Sequence, residues 1–292
     1  MEESVALRMI QYIQKSDKDP EVVQNGITEK YNQISDYMAK NRLVLNSDKT
    51  HPMVMTTPYQ HRDYGDFGIT LNIGTEENEP VFCEKLLGGY ISNNFKWNEH
   101  VRGNDGSIFK TLVSRINALR KISNFSNFKT RKMIADGVVI SRLIYLIQLW
   151  GGCPDYLLDF LQTLQNRAAR LVCGGGRFTP VKKLLDSCGW MSVRQLVSYH
   201  RVLLLFKIRT EGKPRYFKDK FTSNSNPNYN TRFVKDEGIK KERRLKKEDS
   251  MTSFVPSSID IWNRLPVHLR QSKDARDFKT KLRPWIKEKI EI

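Results

Sequence analysis

The chain has 292 residues, 39% of them hydrophobic, and its 49 Lys and Arg outnumber 32 Asp and Glu to give a formal charge of +17. The length suggests two domains or subdomains, and the positive surplus implies a polyanionic partner, which nucleic acid fits better than an anionic membrane. Four widely spaced cysteines (Cys83, Cys153, Cys173 and Cys188) contain no Cys-x-x-Cys pair, so zinc sites and disulfide frameworks are not indicated and a reducing compartment is expected.

The charge is unevenly placed. Residues 1–110 hold 12 basic and 16 acidic side chains, and residues 111–292 hold 37 and 16. Glu2, Glu3, Arg8 and Lys15 interrupt any apolar leader core, and no apolar run reaches transmembrane length, so we expect a soluble chain with no membrane partner.

In chain order, residues 4–14 suit a short amphipathic helix through Val5, Met9 and Ile13, ended by Asp17 to Pro20. Ile27, Tyr31, Ile34 and Met38 recur at helical spacing. Residues 41–55 then predict a short β-hairpin, with Leu43 and Leu45 alternating, turn chemistry at Asn46-Ser47-Asp48, and Lys49 near the tip, either functional or merely solvated. Residues 56–80 read as turns or a hairpin with little core. Residues 85–101 read as a second hairpin, with a turn at Ser92-Asn93-Asn94 and a packed Trp97.

Helical periodicity follows. Ile108, Leu112, Ile116 and Leu119 share a face that excludes Lys110, Arg115, Arg120 and Lys121. Residues 128–150 predict one helix whose second half is apolar nearly all round, the buried spine of a bundle, stopped by Gly151-Gly152. Pro154 opens a third helix over 157–173, which carries Arg167 and Arg170 and is closed by Gly174-Gly175-Gly176. Thr179-Pro180 starts the next, and Gly189-Trp190-Met191-Ser192-Val193 leads into a long helix through Leu196, Tyr199, Leu203 and Phe206. Residues 211–231 read as a linker. The eight basic side chains between Arg232 and Lys247, among them Lys240, Lys241, Arg243, Arg244, Lys246 and Lys247, are a solvated run or a segment that orders on phosphates. A small helical terminus contains Phe254, Ile261-Trp262-Asn263-Arg264-Leu265-Pro266, Phe278, Leu282 and Trp285.

Four of these stretches, in this order, resemble the LINE-type (non-LTR) retrotransposon reverse transcriptases: Asn-x-Leu-x-Leu-Asn-x-x-Lys-Thr over 41–50, Leu87-Gly88 with Trp97 and His100-Val101, Leu161-Gln162-x-x-Gln165-Asn166-Arg167-Ala168-x-Arg170 with the Gly-Trp-Met segment behind it, and Trp262-Asn-x-Leu-Pro. The resemblance implies that Lys49 is the palm lysine near the nucleotide's phosphates, that Leu87 and Gly88 lie in the hairpin that grips the primer end, and that Arg167 and Arg170 belong to the thumb. Relatives hold two metal ions on an Asp-Asp pair. No Asp-Asp dipeptide occurs here, so magnesium is implied only for the intact family enzyme, no metal site is expected in this chain, and Met1 reads as the start of a truncated open reading frame.

The expectation is therefore an α+β, mainly α protein: a palm remnant with a primer-grip-like hairpin over 1–105, a helical thumb over 106–211, a basic linker over 212–250 and a helical module over 251–292. Its expected function is that of a polymerase fragment without catalytic carboxylates, binding RNA or an RNA–DNA hybrid through phosphate contacts by way of Lys110, Arg115, Arg120, Lys121, Arg167, Arg170 and the basic run. A free nucleotide is not an expected ligand. The expected setting is intracellular, cytoplasmic or nuclear. The alternatives are a helical protein-interaction module or an inactive relic.

Overall fold

The computed structural model describes residues 13–46, 49–55, 71–73, 76–103, 105–221, 238–239 and 252–290, by backbone alone at 71–73, 76, 77 and Lys218. The expected helix over 4–14, apart from Ile13 and Gln14, which are not helical, and the basic run containing Lys240 to Lys247 lie outside the described residues. The fold is mainly helical α+β with two small antiparallel hairpins, and the chain divides into two compact units, Met1–Lys96 and Trp97–Ile292.

The first unit is built around helix α1, Pro20–Lys40. Asp19 caps it by accepting from the Glu21 N–H at 2.9 Å, Pro20 supplies the fixed φ of a first turn, and the Asn41 side chain returns to the Tyr37 carbonyl. Tyr31 and Met38 are its buried residues, and Ile13, Ile27 and Leu45 pack on Tyr31. Strands β1 (Leu71–Ile73) and β2 (Glu76–Asn78) pair antiparallel, as do β3 (Cys83–Leu86) and β4 (Gly89–Ser92).

Two expectations in this unit are corrected. The described residues between 41 and 55 form no strand: the Lys49 N–H and the Thr50 hydroxyl both bond to the Asn46 carbonyl, and Val44 is 95% exposed. The 85–101 segment turns at Leu87-Gly88, where Leu86 pairs with Gly89 and φ is 47° and 80° at the two loop residues, the signature of a tight two-residue hairpin. Ser92 to Asn94 instead caps the chain's exit, with the Ser92 hydroxyl bonded to Asn94 and to the Lys96 carbonyl. The residues after it start a helix rather than a strand.

The second unit begins with α2 (Asn98–Arg102) and α3 (Ile108–Ser123). Ser107 caps α3, and Ile108, Leu112, Ile116 and Leu119 are buried as their spacing requires. The predicted 128–150 helix is broken into α4 (Phe128–Ala135), a π-helical segment (Asp136–Ile140), α5 (Ser141–Ile144) and α6 (Ile147–Trp150). Tyr145 is extended and Leu146 is left-handed with φ 54°, and the Trp150 indole holds the break by donating to the Tyr145 carbonyl at 2.8 Å. Val139, Leu143, Ile147 and Trp150 remain fully buried, so the segment is the core spine in short pieces.

Helix α7 (Asp155–Cys173) ends at Gly174 with φ 65°, α8 (Val181–Cys188) ends at Gly189 with φ 66°, and α9 (Val193–Glu211) starts in a capping box between Ser192 and Gln195. A 3-10 turn, Arg215–Phe221, follows. Helices α10 (Phe254–Arg264), α11 (Val267–Arg270) and α12 (Ala275–Lys289) share one hydrophobic core with α3 to α9. Phe206 stacks on Phe278 at 4.2 Å between ring centroids, with Trp262 beside both.

Candidate nucleic-acid interface

In the second unit residues 106–135, 160–185 and 187–210 each lack Asp and Glu, and in the third of these Arg194 and Arg201 are already bonded within the fold. Residues 106–135 carry seven Lys or Arg and no Asp or Glu, and residues 160–185 carry five and none. The first forms α3 and α4 and the second forms most of α7 and the start of α8, helices that pack on one another. Arg131 fastens them: its Nε donates to the Val172 carbonyl at 3.0 Å, and its Nη1 donates to the Ser123 and Ser126 carbonyls at 2.9 Å. The last turns of α3 and α7 and the first turn of α4 therefore meet at one end of the bundle. Cations at these carboxyl ends, Arg120, Lys121 and Arg170, are also where the helix dipole favours them.

The sequence-predicted residues divide by role. Arg120, Lys121 and Arg167 are exposed. Lys110 is exposed and paired with Asp105 at 2.9 Å, a surface contact that a phosphate can replace at little cost. Arg115 is taken up by structure, because its Nη1 donates to the Val138 carbonyl in the π segment at 2.7 Å. Arg170 is half-buried, with Nε finding no acceptor among the described residues. In the first unit, Lys49 is exposed, and at the hairpin tip Leu87 is exposed while Gly88 is half-buried. Sequence reasoning passed over Lys129, Arg177, Lys182 and Lys183, and the Phe125 and Phe178 rings, which are 91% and 93% exposed. The absence of acidic residues from both stretches is the signal that would have found them.

Negative charge sits elsewhere in this unit. At the other end of α7, Asp155 and Asp159 each accept from Arg194 at 2.7 Å. Asp136 is tied to Lys132 at 2.6 Å and Asp186 to Lys287 at 3.5 Å.

Burial, aided by Arg142, lowers the His100 pKa to about 4, and burial with Lys279 does the same for His200, so both are neutral at physiological pH. Burial pushes the Cys153 and Cys188 thiols up to about 12, far from the thiolate that nucleophilic chemistry needs. Among the described residues, no group of three or more His, Cys, Asp or Glu is placed to hold a metal ion, and no helix is long and apolar enough to cross a membrane. No family model, no curated protein and no solved structure matches the chain.

Proposed function

We propose that this chain acts as a nucleic-acid-binding fragment of the LINE-type reverse transcriptase kind, its second unit serving as a thumb that holds RNA or an RNA–DNA hybrid by the sugar-phosphate backbone. The observation that carries the reading is the pair of acid-free basic stretches folded into neighbouring helices and joined by Arg131. Such a surface attracts phosphates without reading bases, so its affinity depends on salt and little on sequence. The four ordered motif resemblances support the same reading.

The test is a fluorescence-anisotropy titration of the full chain with an RNA–DNA hybrid over a series of salt concentrations. The expected result is a log–log slope of several units, with R120Q/K121Q or R167Q lowering it by roughly one unit for every phosphate that is no longer neutralised. A folded sample that leaves the hybrid unbound at low salt overturns the reading in favour of a protein-interaction role.

A further inference from the structure

We infer that the bundle end where the loops after α3 and α7 emerge is a stacking platform for single-stranded nucleic acid, with Phe125 and Phe178 as its two base-facing rings. This rests on the nucleic-acid reading above and names the form of ligand that this one surface takes.

Both rings are presented on fixed backbone. The Phe125 N–H bonds to the Ile122 carbonyl at 3.1 Å, and the Ser126 hydroxyl bonds to the same carbonyl. Arg131 holds the residues on either side of the ring through the Ser123 and Ser126 carbonyls. In the other loop, the Gly175 N–H returns to the Arg170 carbonyl and the Thr179 N–H to that of Gly176. Gly175 lies so close to Leu184 that a Cβ there would sit 2.8 Å from its Cδ2, which pins the loop to α8. Through Val172, Arg131 also ties the base of this second loop to the first. A Phe left in water forgoes the burial that would stabilise it, and each of these two rings stands in an acid-free segment of the chain, with Arg120, Lys121 and Lys129 within five residues of one and Arg177, Lys182 and Lys183 within five of the other.

Exposed aromatic faces among cations match a polyanion whose own flat apolar faces are free, and that is a single strand. A duplex hides its base faces by stacking them on each other. An anionic membrane would call for a continuous apolar face, whereas Ser123, Asn124, Ser126 and Asn127 separate Phe125 along the chain from the partly exposed Ile122 and Phe128, and Gly176 and Thr179 stand close to Phe178 in sequence.

Anisotropy titrations of the full chain with a short oligothymidylate, with a base-free deoxyribose-phosphate chain of the same length and with an RNA–DNA duplex test the idea. Wild type is expected to bind the oligothymidylate about tenfold or more tighter than the base-free chain. F125A/F178A should erase that preference while leaving the salt slope and the duplex affinity unchanged. F125W/F178W should restore it, with quenching of indole fluorescence on binding. Equal wild-type affinity for the two single chains, or an oligothymidylate affinity unchanged in F125A/F178A, overturns the platform. If duplex binding persists in that case, only the platform falls; if no nucleic acid binds, the thumb reading falls with it. Binding to phosphatidylserine vesicles that F125A/F178A abolishes, with oligothymidylate binding unaffected, assigns the rings to membrane instead and also overturns the proposal.

Discussion

The Trp190 indole N–H donates to Asp136 Oδ1 at 2.6 Å, across 54 residues of chain. The other oxygen of the same carboxylate accepts from Lys132 at 2.6 Å. Asp136 opens the π-helical segment and Trp190 sits in the turn between α8 and α9, so one carboxylate joins an irregular helix to a turn. Replacing Asp136 by Ala leaves the nearly buried indole N–H without its acceptor, and such a loss costs about 1–3 kcal/mol. We expect D136A to lower the denaturant midpoint correspondingly, and W190F to cost less when added to D136A, where the donor it removes is already unpaired, than when made in wild type. Equal stability of D136A and wild type would show that the bond carries no weight.

Arg201 is a cation 3% exposed. Its Nη1 donates to the Thr252 carbonyl at 2.8 Å and the Ser257 hydroxyl at 2.6 Å, which fastens α9 to the start of the carboxy-terminal helices. Nε and Nη2 have no acceptor among the described residues, and burial pulls the guanidinium down to about 10 despite the nearby Cys153 thiol. A buried charge served by neutral acceptors alone gives back little of its desolvation cost. R201M, which keeps the volume and drops the charge, should therefore change stability by less than about 1 kcal/mol, whereas R201A should cost about 3 kcal/mol through the cavity it leaves. Urea unfolding of both variants checks the order, and R201M as unstable as R201A would show that the charge itself is needed.

These bonds mark how far the sequence could be read. Helices bracketed by local chemistry were legible: Pro154 and Gly174 around α7, and the Gly189 to Val193 segment that leads into α9. The break at Tyr145-Leu146 was not, because a run that is apolar on every side carries no period to interrupt, and the bond that holds the break comes from Trp150. The hairpin turn was misplaced because Ser92-Asn93-Asn94 is strong turn chemistry, whereas the real loop puts a Leu in left-handed backbone, which no propensity favours. For the interface, residue types were visible and their roles were not. Arg115 reads as another surface cation until the π segment offers it the Val138 carbonyl.

Two histidines, His100 buried and His200 half-buried, set an acid limit on stability. His100 and His200 titrate near 4 in the folded chain against an ordinary value of 6.5. Between those values the unfolded chain binds protons that the folded one refuses, so stability is flat above about pH 7 and falls as pH drops from 6.5 toward 4. The loss should be on the order of 3 kcal/mol per histidine. Asp105 and Asp277, held below the ordinary carboxylate range by hydrogen bonds from Lys110 and Lys281, titrate beneath this window. Denaturant midpoints measured across the window should slope upward with pH, and H200Q should flatten the slope. A pH-independent midpoint in wild type would contradict the assignment.

Two glycines of the second unit should respond oppositely to a methyl group. Gly151 closes α6, where a Cβ would stand 2.5 Å from the Ile147 carbonyl and 2.7 Å from Val197 Cγ1 on α9. Val197 is packed in the core and the carbonyl belongs to the helix, so neither can yield cheaply. Overpacking of this kind costs typically about 1–3 kcal/mol. Gly137 lies in the π segment with open space around its missing side chain and no left-handed φ. An Ala there removes unfolded-state freedom at no steric cost, a gain of about 0.4–1 kcal/mol. Thermal unfolding should therefore place G137A above wild type and G151A below it. If G137A falls instead, the π segment depends on the flexibility of its glycine, and Asp136 and Trp190 would be holding a backbone that an ordinary helical residue cannot follow.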